Sequence, residues 1–486
     1  MASIKERIKG FFSNPREKST DSILEKSYLQ YDRPGKNGEC ELVVGLDFGT
    51  SSSKVVIQAP DLPGRPSYAI RFGRLTHEET PYLLPTKLYI SSDGTCSLGK
   101  FDNAQVISDI KLELFSKEDD IFSNLGPTRQ NMAPKEIAVC YLALVLWVSR
   151  RWFLEKKVDL IKQFTEIVWS MNLGVPSPCI EDNEENLTFR QVGEAAWKLS
   201  TLGPKKITLD NARSALEEFN LYGSCFMDDE NGCDFTIVPE IAAGAIGYAM
   251  STLRKEGLHV MIDVGSSTVD VCSFRLNKKE GSDRYELLIA DVKPLGTYRL
   301  YSENILTLKE AYEKHIAQLR DKHEPMEPIK LCNDELFIDE EHLIDALKGA
   351  KEKIKQELLY MLRVVIWQTK CRRDRTAPIW KKGRLPVLLI GGGNRDEFFR
   401  AALGEIDDWL IFNAKNDGIS LITPPIPDSL TDSVSDENQY NLLAVAWGLS
   451  HRSLDIGDII PADQIKDVKP PPPRSYRHKF VGKELT

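Results

Sequence analysis

The sequence predicts an α/β fold built on a duplicated domain, and three observations carry that prediction. Two strand-turn-strand segments of one pattern lie far apart, strand and helix patterns alternate around them, and a glycine-rich turn joins a late apolar strand to a helix. The first segment, Glu41 to Gln58, reads ELVVGLDFGTSSSKVVIQ. Its apolar run delivers Asp47 to the head of a turn of Gly49, Thr50, Ser51, Ser52 and Ser53, gathering backbone N–H groups and hydroxyls beside one carboxylate. That is the composition of a phosphate cradle with an acid on the metal side. A β-hairpin without a ligand also uses Gly and Ser, so this segment alone leaves both readings open. The second segment, HVMIDVGSSTVDVCSF from His259 to Phe274, repeats the first at a constant offset of 216 (263 − 47). Asp263, Gly265, Ser266, Ser267 and Val271 fall on Asp47, Gly49, Thr50, Ser51 and Val55. Two equivalent phosphate hairpins imply a duplicated α/β domain. The chain has no GxxxxGK[ST] and no GxGxxG after a strand, so the usual mononucleotide and dinucleotide motifs are absent.

At 486 residues the chain has room for roughly three domains and a large core. Its 42% apolar and 28% charged content is that of a globular protein, and the net charge of −9 argues against broad affinity for nucleic acid or anionic membrane. The nine cysteines are scattered and form no CxxC pair, which points to reduced thiols and a cytoplasmic location. MASIKERIKGFF lacks the apolar core and cleavage site of a secretory signal. The longest apolar run, Ile137 to Val148, is too short to span a bilayer and reads as a buried helix, so no transmembrane segment is expected.

Residues 1–40 read as an arm and linker, ending in DRPGKNGE, with Ile4, Ile8, Phe11 and Phe12 on one stripe of a short helix. Residues 41–240 and 241–454 form the two halves, and 455–486 a tail. After the first hairpin come strands between 67 and 90, a turn at Ser91–Gly94, a short strand in TCSLG, and a helix from Pro134 to about Gln163. FTEIVWSMNLGV is a strand; Leu187–Leu199 and Asp210–Leu221 are helices, the latter with Asp210 as N-cap. A strand stopping at Pro239 then enters a helix in which Ala242, Ala243, Gly244, Ala245 and Gly247 keep the surface low for a close neighbour. Glu240 opens that helix, placed to meet the dipole or a metal-bound water. YELLIADVK is a strand, followed by helices from Ser302 to about Lys322 and from His342 to Thr369; on the second, Glu352, Lys355 and Gln356 lie on neighbouring turns. Arg384–Ile390 is a buried strand running into Gly391, Gly392, Gly393, Asn394 and Arg395, where backbone can approach a ligand ahead of a helix begun by Asp396. Asn441–His451 is a last helix, and PPPPRSYRHKFVGKELT an extended or disordered tail.

Five segments in this order, VGLDFGTSSS, PEIAAGAIGYAM, MIDVGSSTVDV, LLIGGGNRDEF and LLAVAWGLS, resemble the first phosphate, first connecting, second phosphate, adenosine and second connecting motifs of the actin-like ATPase superfamily. The likeness is nearest to the nucleotide-binding domain of DnaK-type (heat shock protein 70) chaperones and runs from Leu42 to about His451. It implies a two-lobed fold of duplicated ribonuclease-H-like domains with ATP or ADP and Mg²⁺ in the cleft between them. By position, Asp47 and Asp263 would hold Mg²⁺ through water, and Gly49, Thr50, Ser51 and Ser52 would face Gly265, Ser266, Ser267 and Thr268 across the phosphates. Glu240 and Asp270 would position the attacking water, Gly391–Arg395 would cover the adenosine, and Glu352 and Lys355 would match the family's ribose and adenine contacts.

The departures from the pattern also carry expectations. Matching SLGKFDNAQ to the family's strand puts Asn103 where a catalytic lysine belongs, with Lys100 three residues early, which leaves two expectations open: catalysis by a shifted Lys100, and slow or absent hydrolysis. Leu442 and Leu359 stand where an acid and an adenosine-side serine belong. Only 35 residues (486 − 451) follow His451, which leaves no room here for a peptide-binding module. The leading expectation is an ATP-dependent conformational switch read by a protein partner, docked through the N-terminal arm or the Pro-rich tail. An actin-like filament or scaffold, and a small-molecule kinase of the same superfamily, are the alternatives.

Overall fold

The computed structural model describes residues 37–114, 132–176, 183–226, 232–300, 340–431, 434 and 436–468. The stripe of Ile4, Ile8, Phe11 and Phe12, the helix expected from Ser302, and the Pro-rich tail from Pro470 lie outside these residues.

The chain is mixed α/β, organised by two large sheets. In the first, β1 (Asn37–Phe48) and β2 (Ser52–Gln58) form an antiparallel hairpin, β3 (Ser67–Ala69) continues it, and β4 (Leu84–Pro85) also pairs with β2. A separate antiparallel sheet follows, made of β5 (Leu88–Ile90), β6 (Cys96–Ser97) and β7 (Gln105–Ile107). The first sheet is completed by β8 (Phe164–Val175), parallel to β1, and β9 (Asp234–Pro239), parallel to β8. The second sheet holds β10 (Gly257–Val264), β11 (Val269–Lys279) and β12 (Ser282–Lys293) as an antiparallel run, with β13 (Leu385–Ile390) and β14 (Ile419–Ile422) added in parallel beyond β10. The orders β3-β2-β1-β8-β9 and β12-β11-β10-β13-β14 agree in strand sense at every junction. The sequence repeat is therefore a topological repeat. Two short strands, β15 (Leu430–Thr431) beside β3 and β16 (Asp458–Ile460) beside β12, extend one edge of each sheet.

The apolar runs of β1 and β10 follow from this placement. A strand paired on both edges and covered on both faces has no solvent side, so Leu42 to Phe48 are all buried, with no alternation. Helix Pro134–Lys156 covers one face of the first sheet, starting with Pro at its first position and Glu136 accepting from the Ala133 N–H. Helices Glu340–Gln368 and Glu397–Trp409 cover the outer face of the second sheet. Between the two sheets lies a pair of helices, Glu240–Ala249 and Glu437–Leu449, whose side chains share one core with residues of both. The small residues let this pair pack backbone to backbone: a Cβ on Gly448 would lie 1.9 Å from the Ala243 carbonyl oxygen, and one on Gly45 only 2.3 Å from that of Ala446. Asn172 of β8 ties off the helix end by donating to the Leu449 and His451 carbonyls, both at 2.7 Å.

Two expectations are corrected. The N-cap of helix Leu209–Tyr222 is Thr208, whose hydroxyl accepts from Asn211 N–H, while Asp210 sits in the first turn and pairs with Arg213. The long helix stops at Lys156, and a separate turn, Val158–Ile161, leads into β8. At 23 residues and a mean hydropathy of 1.6 that helix is long and apolar enough to cross a membrane, yet 83% of its apolar window is buried inside the protein. No other described helix passes that test.

Candidate functional site

The two hairpin turns face each other. Ser51 at the tip of the first donates from Oγ to Ser266 Oγ of the second at 2.8 Å. Each turn is clamped from behind. Thr86, just after β4, donates from Oγ1 to the Gly49 carbonyl at 2.7 Å and from its N–H to the Ser51 carbonyl at 2.9 Å, and Tyr141 of helix Pro134–Lys156 donates to Ser53 Oγ at 3.0 Å. The second turn is closed by its own Gly265 N–H to Thr268 O bond at 2.9 Å, and the segment after β12 donates to it from Gly296, Thr297 and Tyr298. Rigid backing of this kind holds the remaining N–H groups and hydroxyls in place before a ligand arrives.

The turns form the mouth of a cleft of about 800 Å³ lined by Asp47, Gly49, Thr50, Ser51 and Ser52 on one side and Asp263, Gly265, Ser266, Ser267, Thr268 and Asp270 on the other. Glu240, Lys54 and Lys111 complete its charged floor. Asp47 accepts from Lys54 Nζ at 3.0 Å. Glu240, at the head of its helix, lines the cleft and accepts through Oε1 from Lys111 Nζ at 2.7 Å. Burial pulls the Lys54 pKa down, and Asp47, Asp263 and Glu240 more than reverse this, leaving it above the ordinary lysine value. Lys111 is held up in the same way by Glu240, Asp47 and Asp270. Both lysines are therefore ammonium ions.

The second hairpin has no such partner. Asp263 and Asp270 stand opposite each other in the β10–β11 register. Burial, then the Glu240 and Asp47 carboxylates, push Asp263 up to about 7. Burial, then Glu240 and Asp263, push Asp270 up to about 8. Asp270 Oδ1 is buried with no hydrogen-bond partner among the described residues, and so is Asn441 Oδ1 on helix Glu437–Leu449. Both residues line the cleft, and unpaired buried acceptors favour an arriving donor or cation.

On the far wall, Gly391, Gly392, Gly393 and Arg395 line the cleft together with Leu442 and Val445. Gly391 has φ of +84°, and a Cβ there would sit 2.1 Å from Asp263 Oδ1, so only glycine permits the turn to lie against that carboxylate. Asn394 is buried behind the turn, its carbonyl accepting from Arg400, and Asp396 caps the next helix through Phe398 N–H. Leu442 packs toward Gly392, giving an apolar wall where the resemblance calls for an acid. Glu352 and Lys355 pair with each other at 2.8 Å, Lys355 also pairs with Glu405 at 2.8 Å, and neither lines the cleft. Leu359 is fully buried in the second sheet's core, away from the lining.

Neither Lys100 nor Asn103 lines the cleft. Lys100 is exposed, and Asn103 is an exposed turn residue with φ of +59°. The buried cation is Lys111, on the short helix Ile110–Glu113 that follows β7. Thr86 and Asn441 were not singled out by the sequence reading; nor was Lys54, although the register Asp47 to Lys54 follows from the hairpin. The chain matches no family model and no curated protein.

Proposed function

We propose that this cleft binds ATP or ADP with Mg²⁺, and that the chain is a slowly hydrolysing, heat-shock-chaperone-like switch whose two actin-like lobes close on nucleotide and signal to a protein partner. One observation carries the reading: two topologically equivalent hairpins present Gly-hydroxyl turns to each other across a single carboxylate-lined cleft, 2.8 Å apart at Ser51 and Ser266. A triphosphate entering there separates that serine pair and receives N–H and hydroxyl donors from both sides. The glycine turn at Gly391–Gly393, with Leu442 and Val445, supplies the flat, partly apolar wall a nucleoside needs.

The donor set fits a divalent cation in charge, because six acidic side chains line the cleft against Lys54, Lys111 and Arg395, and Asp270 Oδ1 is unpaired. Among the described residues no three acidic, His or Cys side chains converge to enclose a metal, so Asp47 and Asp263 would hold Mg²⁺ through water. When bound, Mg²⁺ supplies charge neutralisation to the phosphate oxygens. The chain's own residues do the rest. Lys111, fixed by Glu240, places an ammonium where charge develops on the transferring phosphoryl group. Asp270, opposite Asp263 and bearing the unpaired Oδ1, is placed to accept a proton from the attacking water once its own carboxyl is ionised. ATP and ADP make different contacts with the two hairpins and so bias closure differently, which is the signal a partner reads.

Calorimetric titration with ATP tests the site. Asp47→Asn and Asp263→Asn are each expected to weaken binding about tenfold or more. Wild-type affinity in both variants removes the cleft from the account. A second reading draws on the continuation of the cleft past Lys111 to Thr80, Leu83, Pro176 and Glu185, which leaves space beyond the phosphates for a small acceptor. ATP consumption stimulated by polyols would favour that kinase reading over a water-directed reaction.

A further inference from the structure

Residues 369–384, which join helix Glu340–Gln368 to β13, read TKCRRDRTAPIWKKGR and carry seven Lys and Arg side chains against one acid, Asp374. The segment holds +6 (7 − 1) in a chain of −9, so the rest of the chain carries −15 (−9 − 6). It folds as a packed knuckle. Ala377 and Trp380 are buried in the second sheet's core, with Ile379 packed on the same core. Trp380 Nε1 donates to the Asp374 carbonyl at 2.6 Å, and Lys370 Nζ stands 5.4 Å from the Trp380 ring centre. The apolar residues thus face inward and the cations outward. Asp374 is taken by Arg275 of β11, and Arg384 by Asp407. Arg375, which donates to the Cys371 carbonyl at 3.2 Å, and the exposed Lys381 and Lys382 have no carboxylate partner among the described residues.

The chain itself displays what this face accepts. A strap at 465–468 lies on it: Asp467 Oδ2 accepts from Arg372 Nε and Nη2 at 3.1 and 2.9 Å, and Asp467 Oδ1 is 3.1 Å from Arg373 Nη1. The Ile465 carbonyl accepts from Arg373, and the Val468 N–H donates to the Arg372 carbonyl at 2.6 Å. A carboxylate and the peptide groups on either side of it are therefore read together. A phosphate backbone has no amide N–H for the Arg372 carbonyl, and the knuckle has no outward apolar wedge for a bilayer. We propose that this knuckle is a docking site for an acidic peptide segment of a partner protein, which pairs with Arg375, Lys381 and Lys382 and competes with the chain's own Asp467 for Arg372 and Arg373. The −15 of the remaining chain repels such a segment elsewhere and confines it to this face. Each exposed ion pair is weak, so affinity comes from several together and falls with salt. The inference does not depend on the nucleotide reading, because none of these residues lines the cleft.

Fluorescence polarisation of a labelled peptide alternating Asp and Glu, titrated with the full chain, tests it. A peptide alternating Asn and Gln, single-stranded DNA and phosphatidylserine vesicles are run alongside. The acidic peptide is expected to bind and the neutral one not, with affinity falling about tenfold as salt rises from ~50 to ~200 mM. Lys381→Glu combined with Lys382→Glu, both on exposed side chains, should cost about tenfold or more. Asp467→Asn should tighten binding about threefold or more by releasing Arg372 and Arg373, a gain that misfolding cannot produce. Absence of wild-type binding, equal binding of the neutral peptide, or wild-type affinity in the Lys381 and Lys382 double variant overturns the proposal. So does unchanged or weaker binding in Asp467→Asn. Tighter binding of DNA or of vesicles than of the acidic peptide overturns it in favour of that polyanion.

Discussion

Hairpin β1–β2 and hairpin β10–β11 share strand sense, turn composition and the acid that heads the turn, but they differ seven residues after that acid, where one carries Lys54 and the other Asp270. In the first, the cross-strand pair is an ion pair at 3.0 Å. In the second it is two carboxyls, pushed up to about 7 and about 8 by burial and by neighbouring acids. The same backbone therefore builds one half-site that is complete as folded and one that waits for a proton, a donor or a cation. Equivalent geometry does not mean equivalent chemistry, and in a duplicated fold the informative positions are those where the copies disagree.

Exchanging the charge at the point of disagreement is expected to have the largest effect. Lys54→Asp adds a third uncompensated carboxylate to the cleft and strands Asp47, and it should lower stability by about 3–5 kcal/mol, the range for breaking a buried pair. Urea unfolding of the ligand-free chain measures this, and a loss under about 1 kcal/mol would mean that water compensates both hairpins alike. Next is Lys111, the cation paired with Glu240. Lys111→Met should cut single-turnover ATP hydrolysis by roughly 10²–10³-fold while changing ATP affinity far less. Equal losses in binding and turnover would make it a binding residue only.

A pH series probes the second hairpin directly. With folded pKa values of about 7 and 8 above the unfolded value of 3.8, Asp263 and Asp270 hold protons in the folded chain that the unfolded chain has released. Stability is thus greatest at the acid side of that window and declines as pH rises through 7 to 8. The groups facing Asp270 are Glu240, Asp263 and Lys111, with Thr268 bonded to it, so no other titration with an opposing sign is adjacent. Asp270→Asn should flatten the decline in Tm between about pH 4 and 8, and raise Tm at pH 8; a parallel decline in the variant would place the titration elsewhere. The smallest effect belongs to the contact between the turns. Ser266→Ala removes the partner of Ser51, worth about 1 kcal/mol or less at this exposure, and should speed amide hydrogen exchange at Gly49–Ser53 with little change in Tm.

What the sequence made legible was local. Both hairpins, the strand entering Glu240 through Pro239, and the glycine turn after β13 each carry their signal within about a dozen residues, where register and turn chemistry decide the structure. Lys111 was missed because its place depends on how the sheet of β5, β6 and β7 folds back, and Asn103 only occupies a turn on the way. Glu352 and Lys355 were placed on the correct helix, but Lys355 also pairs with Glu405 from a helix fifty positions on (405 − 355), which no local pattern reveals. The helix pair between the sheets was anticipated only as a low surface. Which neighbour fills it, Gly448 against Ala243, is tertiary information.

The central claim is that one ligand is gripped by both hairpins. The most direct measurement is an experimental structure of the chain soaked or grown with a non-hydrolysable ATP analogue and Mg²⁺. The account predicts density for the phosphates between the turns, with Thr50 or Ser51 on one side and Ser266 or Ser267 on the other contacting the same nucleotide, and the Ser51–Ser266 bond replaced. A nucleotide touching one hairpin alone, or an intact serine pair at saturating analogue, would contradict it.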